Sequence, residues 1–189
     1  MIRVSPSIAS ADPLNLKGAV EFVERCGYKD LHIDIEDGNF IPNITFGMKI
    51  VRALRKATAL PFSFHLMALR PETYQDEILA LEPSIVFAHV EAVAYPSDFA
   101  ARLRRAGVRS GLALNPKTPV EPLVYVLENV DTVLIMTSEP DGRGQDFLPA
   151  MIEKIRAARQ LAPSLEIWAD GVNVAVMGRA VFEETERRP

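Results

Sequence analysis

The sequence predicts an α/β protein built on a parallel sheet, and three observations carry the prediction. Short apolar runs alternate with longer amphipathic stretches along the whole chain, the spacing that βα units produce. Runs such as Ile85-Val86-Phe87-Ala88 and Val133-Leu134-Ile135-Met136 are continuously apolar, as strands buried on both faces are. The units number about eight, which favours a closed (β/α)8 barrel of the TIM type over an open doubly wound sheet. A length of 189 residues suits one domain with a sizeable core, so a single barrel domain is expected over 1–189.

Taken in order, Arg3–Ile8 is the first strand-like run and Pro13–Cys26 the first helix. Leu14, Leu16, Val20, Phe22 and Val23 supply its apolar stripe, and Asp12 before Pro13 reads as an N-cap pair. Asp30–Ile35 is the second strand and Lys49–Ala57 the second helix. The unit repeats as Phe62–Met67 with Glu72–Leu81, and as Ser84–Val90 with Pro96–Ala106. Gly111–Leu114 with Val120–Leu127, and Thr132–Met136 with Leu148–Leu161, follow. Leu165–Ala169 and Val174–Met177 read as the last two strands.

One junction breaks the pattern. Asp170-Gly171 ends a strand and Val172-Asn173-Val174 begins the next, yet parallel neighbours need a crossover of roughly a dozen residues or more. Either a mobile segment is missing between Gly171 and Val172, or the chain carries a natural or engineered deletion. Intact flanking strands favour the missing segment. The tail beyond Phe182 is short and polar, so an abbreviated last helix is expected.

Composition narrows the class of function. Hydrophobic residues make up 48%, which excludes disorder. A net charge of −4 with dispersed Lys and Arg offers no basic face for nucleic acid. Cys26 is the only cysteine, so an intrachain disulfide is impossible and a cytoplasmic location is expected. The N-terminus shows no signal peptide, and no apolar run is long enough to span a bilayer.

Catalytic groups of such barrels sit at the C-terminal ends of the strands, and the polar residues here fall there. His32 and Asp34 lie two apart near the end of a strand, so alternation turns both to one face. His65 ends the next strand and Asp170 a later one. Two imidazoles and two carboxylates converging in one cavity suit Zn²⁺, Fe²⁺, Co²⁺ or Mn²⁺, and the donor set alone does not choose among them. A single His or Asp ending a strand is more often a satisfied polar group or a cap. His89, also near a strand end, reads as structural or supporting.

Longer motifs add a resemblance. Ser5-Pro6-Ser7-Ile8 and the run from His32-Ile33-Asp34-Ile35-Glu36-Asp37 to Gly38-Asn39-Phe40-Ile41-Pro42-Asn43 resemble two signatures of the ribulose-phosphate 3-epimerase family. So do His65-Leu66-Met67, Gly111-Leu112-Ala113-Leu114-Asn115-Pro116 with Thr118-Pro119, and Met136 followed by Gly144-Gln145 and Phe147. Asp170-Gly171 and Gly178 match the remaining stations. The resemblance covers essentially the whole chain. It implies a metal-dependent (β/α)8 barrel, an isomerase acting on D-ribulose 5-phosphate and D-xylulose 5-phosphate in the pentose phosphate pathway. It implies one divalent metal ion (Zn, Fe, Mn or Co) on His32, Asp34, His65 and Asp170, with Asp34 and Asp170 as the two acid/base groups. The metal would bind the ketone and hydroxyl oxygens and stabilise the enediolate between two proton transfers. Ser7 would hydrogen-bond the substrate or Asp34, and Met67 and Met136 would form an apolar, adaptable wall. His65, Gly142, Gly144, Gly171, Gly178 and Arg179 complete the implied substrate-binding set. Pairing through exposed barrel faces, giving a homo-oligomer, is also implied.

The chain departs from the family pattern at four places. Asp141 stands where a Gly is usual in the phosphate-holding turn, although Arg143 can offset its charge; an ordinary surface turn fits the same residues. Arg179 replaces a usual Ser and can grasp a phosphate. Glu36 replaces a usual Met and Asn39 a usual His. These changes point either to another ketose phosphate, such as allulose 6-phosphate, or to a degenerate barrel that binds sugar phosphates without catalysis.

Overall fold

The computed structural model describes residues 4–143 and 145–171. Six parallel strands form one sheet: β1 (Leu31–Glu36), β2 (Phe62–Met67), β3 (Ile85–His89), β4 (Arg109–Leu114), β5 (Thr132–Met136) and β6 (Glu166–Asp170). Their spatial order is their chain order. A doubly wound sheet reverses direction at a switch point, and no reversal occurs among these strands. Among the described residues, α1 (Leu16–Arg25) precedes β1, and four helices connect strands: α2 (Met48–Ala57), α3 (Gln75–Leu79), α4 (Pro96–Arg105) and α5 (Met151–Leu161).

The sheet is curled. Strands spaced about 4.8 Å apart would put β1 and β6 roughly 24 Å apart in a flat sheet. Instead the His32 ring on β1 lies 6.2 Å from the Trp168 ring on β6, centroid to centroid. Period-two alternation then divides each strand between two environments. Leu31, Ile33 and Ile35 of β1, with Phe62, Phe64 and Leu66 of β2, face outward against Val20 and Val23 of α1 and Val51 and Leu54 of α2. Leu112, Leu114, Val133 and Ile135 do the same on the β4–β5 side, where Ala158 of α5 packs. The inward residues Ile85, Phe87, Ala113, Leu134 and Met136, with Trp168, form a separate small cluster inside the curl. Gly111 belongs to that interior: a Cβ there would collide with the Phe87 ring.

Three sequence expectations need correction. The predicted strand Arg3–Ile8 is reduced, among the described residues, to a single parallel bridge between Ser7 and His32. Pro6 has no N–H to extend a ladder, and Ser7 instead caps a 3-10 turn over Ile8–Ser10. The first helix starts at Leu16 with Asn15 as its cap, not at Pro13. Asp12 holds the preceding turn by accepting from Leu14 N, and Leu14 is 95% exposed. The predicted helix Val120–Leu127 is a pair of 3-10 turns, Glu121–Tyr125 and Leu127–Asn129. Its buried positions Val120 and Leu123, with half-buried Val126, recur every three residues, the 3-10 period. The predicted strand Val174–Met177 and the Gly171–Val172 junction fall at or outside the limit of the described residues.

Candidate metal centre and active site

The inward faces of β1 and β2 and the C-terminal end of β6 bring His32, Asp34, His65 and Asp170 together, with one donor atom from each lying within 4.8 Å of all the others. Among the described residues this is the one group of His, Cys, Asp and Glu placed to hold a metal ion. The register explains the meeting. Asp34 pairs with His65 across β1–β2, Asp170 ends β6, and the curl carries β6 round to face β1. His32 and His65 are fully buried, and Asp34 nearly so.

Each of the four residues turns one polar atom to the centre and has its other atom held from behind. His32 Nδ1 meets Ser63 Oγ at 2.8 Å, while its buried Nε2 has no hydrogen-bond partner and lies 3.4 Å from Asp34 Oδ1. Asp34 Oδ2 accepts from the Ser7 hydroxyl. His65 Nδ1 lies 3.2 Å from Asp34 Oδ1 and 3.1 Å from Asp170 Oδ2, and its Nε2 meets His89. Asp170 Oδ1 accepts from Gly171 N at 2.7 Å. Ligands oriented by outer partners, with lone pairs converging on one point, are what a bound cation requires. An orphaned imidazole nitrogen among carboxylate oxygens is what a cation would satisfy. The donor set therefore fits a divalent ion.

The electrostatics agree. Burial alone would raise the Asp34 pKa, but His32 and His65 outweigh it and hold the carboxyl well below the usual range. Burial would lower His65, yet hydrogen bonds and charge from Asp170 and Asp34 raise it to about 9. Two carboxylates around one imidazole call for a positive charge, and a proton and a cation compete for that place. Glu36, two residues beyond Asp34 on the same face, is pushed up to about 7, first by burial and then by the Asp34 charge.

Backbone contacts brace the strand ends. Thr45 Oγ1 donates to Asp34 O at 2.8 Å, and Thr137 takes Asp170 O through both its N–H, at 2.7 Å, and its hydroxyl. Below the polar group lies an aromatic floor of Phe87 and Trp168, their centroids 5.1 Å apart. Ser63, Thr45, Thr137 and this floor carry no signal that sequence reasoning used. Alternation along β2 and β3 could have found Ser63 and Phe87, since each shares a face with a strand-end histidine.

The remaining expected residues divide into three groups. Ser7 meets Asp34, one of the two roles expected of it. Met67 and Met136 are buried at 5% exposure and bracket the centre, Met67 in register with Glu36 and Met136 with Asp170. Gly142, at φ +73°, packs against the Asn43 side chain, which donates to Glu36. Gly171, at φ +80°, packs against Ser138; a side chain in that left-handed conformation would be strained. Asp141 is engaged within its own turn, accepting from Arg143 N and from Gln145 Nε2. Gly144, Gly178 and Arg179 lie outside the described residues.

Comparison with known proteins places this geometry. Solved structures of similar shape include the tryptophan synthase α-subunit of Pyrococcus furiosus, in a variant with TM-score 0.68, 14% identity, and 99% of this chain and 93% of that chain covered. The 3-dehydroquinate dehydratase of Geobacillus kaustophilus aligns with TM-score 0.59 and 11% identity, covering 94% of this chain and 81% of that chain. At such identities they speak for the fold alone. Sequence relatives are far nearer. The ribulose-phosphate 3-epimerase of Bacillus subtilis is 35% identical over 207 aligned positions, covering all of this chain and 95% of that protein. Those 207 positions against 189 residues mean that the relative carries residues this chain lacks. The cytoplasmic isoform of Oryza sativa is 38% identical, covering 89% of this chain and 76% of its own length. The enzyme of Methanocaldococcus jannaschii is 35% identical, with 96% and 79% covered. The family model described as the ribulose-phosphate 3 epimerase family matches residues 3–181. With the model and the relatives spanning nearly the whole chain, the protein belongs to the ribulose-phosphate 3-epimerase family.

Proposed function

We propose that the protein epimerises D-ribulose 5-phosphate and D-xylulose 5-phosphate at C3, with Asp34 and Asp170 as the two acid/base groups. The observation that carries the reading is their placement. The two carboxylates approach from β1 and from β6 on either side of His65, and each has its outer oxygen held by a donor, Ser7 for Asp34 and Gly171 N for Asp170. Inverting a carbon beside a ketone requires a proton to leave one face and another to arrive on the opposite face. Asp34, held ionised by its two histidines, accepts the C3 proton of one epimer. Asp170, as the carboxylic acid, returns a proton to the other face, and the roles exchange in the reverse direction. Met67 and Met136 exclude water from the enediolate that exists between the two transfers.

His32, Asp34, His65 and Asp170 would hold one divalent ion, which when bound supplies a positive charge against the negative charge developing on the substrate oxygens. Gly142, and with it Gly144, Gly178 and Arg179, would receive the phosphate. A second reading is favoured by one observation. The half-buried Glu36 carboxyl, held by Asn43 beside the Gly142 turn, sets a polar group two residues beyond Asp34 on the same face. That supports another ketose phosphate, such as allulose 6-phosphate, as substrate, and rates on a panel of ketose phosphates separate the two readings.

The wider reading is a single domain over 1–189 of the (β/α)8 type, to which the six described strands in sequential order belong. A cytoplasmic homo-oligomer fits the lone Cys26 and the family. No helix among the described residues is long and apolar enough to cross a membrane.

The test uses Asp34→Asn and Asp170→Asn. Each should lower epimerisation by about 10²–10⁴-fold, the usual value of a positioned acid or base. Each should still exchange the C3 proton of one epimer with solvent deuterium, and the retained epimer should differ between the two variants. Full epimerisation in either variant, or exchange of both epimers by one of them, would sink the assignment.

A further inference from the structure

The centre is continued outward by a chain of hydrogen bonds, running from buried His65 to exposed Glu91, that the acid/base reading does not use. His65 Nε2 meets His89 Nε2 at 2.9 Å, with the two rings only 25° from coplanar. His89, at the end of β3, is fully buried, and Phe40 covers it at a centroid distance of 4.6 Å. Its Nδ1 lies 3.1 Å from Glu91 Oε2. The other oxygen of Glu91, Oε1, accepts from Asn115 N at 2.8 Å and from the Thr118 hydroxyl. The far end of the chain is therefore anchored on the loop after β4.

Donors and acceptors along this chain can be assigned in one direction only. Glu91 is surrounded by donors, and although burial would raise its pKa, His89, Thr118 and Asn115 bring it down to about 2. An ionised carboxylate only accepts, so His89 Nδ1 carries the hydrogen. A neutral His89 then has a lone pair on Nε2. Two nitrogens facing each other need one hydrogen between them, so His65 Nε2 must donate it. That leaves His65 Nδ1, the atom between Asp34 and Asp170, as the one position of the ring that a proton and a cation can exchange. With the opposite tautomer, the hydrogen would be fixed on Nδ1 and would point at the two carboxylates.

We propose that Glu91 is a positioning residue for the metal centre, fixing through His89 the tautomer of His65 whose Nδ1 lone pair faces the metal position. This rests on the reading of His32, Asp34, His65 and Asp170 as a metal centre. It extends the carboxylate–histidine–metal arrangement by one imidazole, and outer partners of that kind change metal affinity by about 10–100-fold when removed.

The experiment compares full-length wild type with Glu91→Gln and Thr118→Val, using chelator competition for Zn²⁺ and Co²⁺ and ¹⁵N side-chain spectra of the histidines, of which the chain has only three. Glu91→Gln should weaken Zn²⁺ and Co²⁺ binding by about 10–100-fold and alter the Co²⁺ absorption spectrum. Its kcat should recover at saturating metal. Thr118→Val removes one of the donors that hold Glu91 but leaves the Glu91–His89 contact in place, so it should weaken metal binding less than Glu91→Gln does. Should Glu91→Gln not fold, Glu91→Asp, which withdraws the carboxylate from His89 by one methylene, carries the same measurement with loss in the same direction. Equal loss in the Glu91 and Thr118 variants, or unaltered affinity in the Glu91 variants, overturns the proposal. In the metal-free wild type, spectra should show His89 protonated at Nδ1 and not at Nε2. The reverse pattern overturns the relay whatever metal binds. The expected pattern in a wild type that binds no metal would uphold the relay and defeat the metal reading instead.

Discussion

The outward and inward faces of the same strands obey different rules. On β1, Leu31, Ile33 and Ile35 face the helices and are buried without a polar atom, while His32, Asp34 and Glu36 alternate with them and face the interior. On β2, Phe62, Phe64 and Leu66 face outward, and Ser63, His65 and Met67 inward. One residue of offset separates apolar packing from the polar centre. The outward face is stabilised by area removed from water, at about 25 cal/mol per Å². The inward face concentrates buried charge, which is costly unless paired. The difference teaches that the outer face supplies the stability with which the buried charges of the inner face are held together.

Exchanging residues between the faces should therefore separate stability from chemistry. The largest effect expected on stability is at Phe64, fully buried on the outward face of β2. Phe64→Ala should cost about 3–5 kcal/mol, measured by denaturant unfolding, with metal affinity unchanged while the protein remains folded. Asp170→Asn is its counterpart: a large loss of rate with a much smaller change in stability than Phe64→Ala, because the repulsion from Asp34 that is removed offsets the attraction to His65 that is lost. A large loss of stability in that variant would break the comparison.

A smaller effect is expected from pH. The folded pKa of His65 is raised from 6.5 to about 9. Its contribution to metal-free stability is thus fully present below about pH 6.5 and lost as pH rises through about 9. Glu36, raised from 4.5 to about 7, adds a loss over that lower window. Asp34 has the opposite sign, and its contribution falls away as pH falls below the ordinary carboxylate range. The metal-free protein should be most stable in mildly acidic solution. A cation in place of the His65 proton should flatten the alkaline decline, which melting curves with chelator and with Zn²⁺ would show.

Much of the inner face was legible in the sequence. His32 and Asp34 stand two apart, His65 and Asp170 end strands, and all four meet as alternation and strand position require. The relay was not legible. His89 reads as structural or supporting, in keeping with its contact to His65, but nothing in the sequence names its partners, and Glu91 lies beyond the strand, where alternation no longer says which way a side chain turns. The opening run failed because Pro6 cannot donate to a ladder, a local restriction that a count of apolar residues does not register. At Val120–Leu127 the apolar residues sit near enough to helical spacing to suggest an α-helix, whereas burial follows the three-residue period.

The central claim is that His32, Asp34, His65 and Asp170 hold one divalent cation in exchange for the His65 proton. Calorimetric titration of the metal-free protein with Zn²⁺ at about pH 7.5, repeated in buffers of different ionisation enthalpy, measures both quantities together. The account expects one ion per chain, release of about one proton per ion, and loss of both in His65→Ala. Binding without proton release, or binding that survives in His65→Ala, would contradict it.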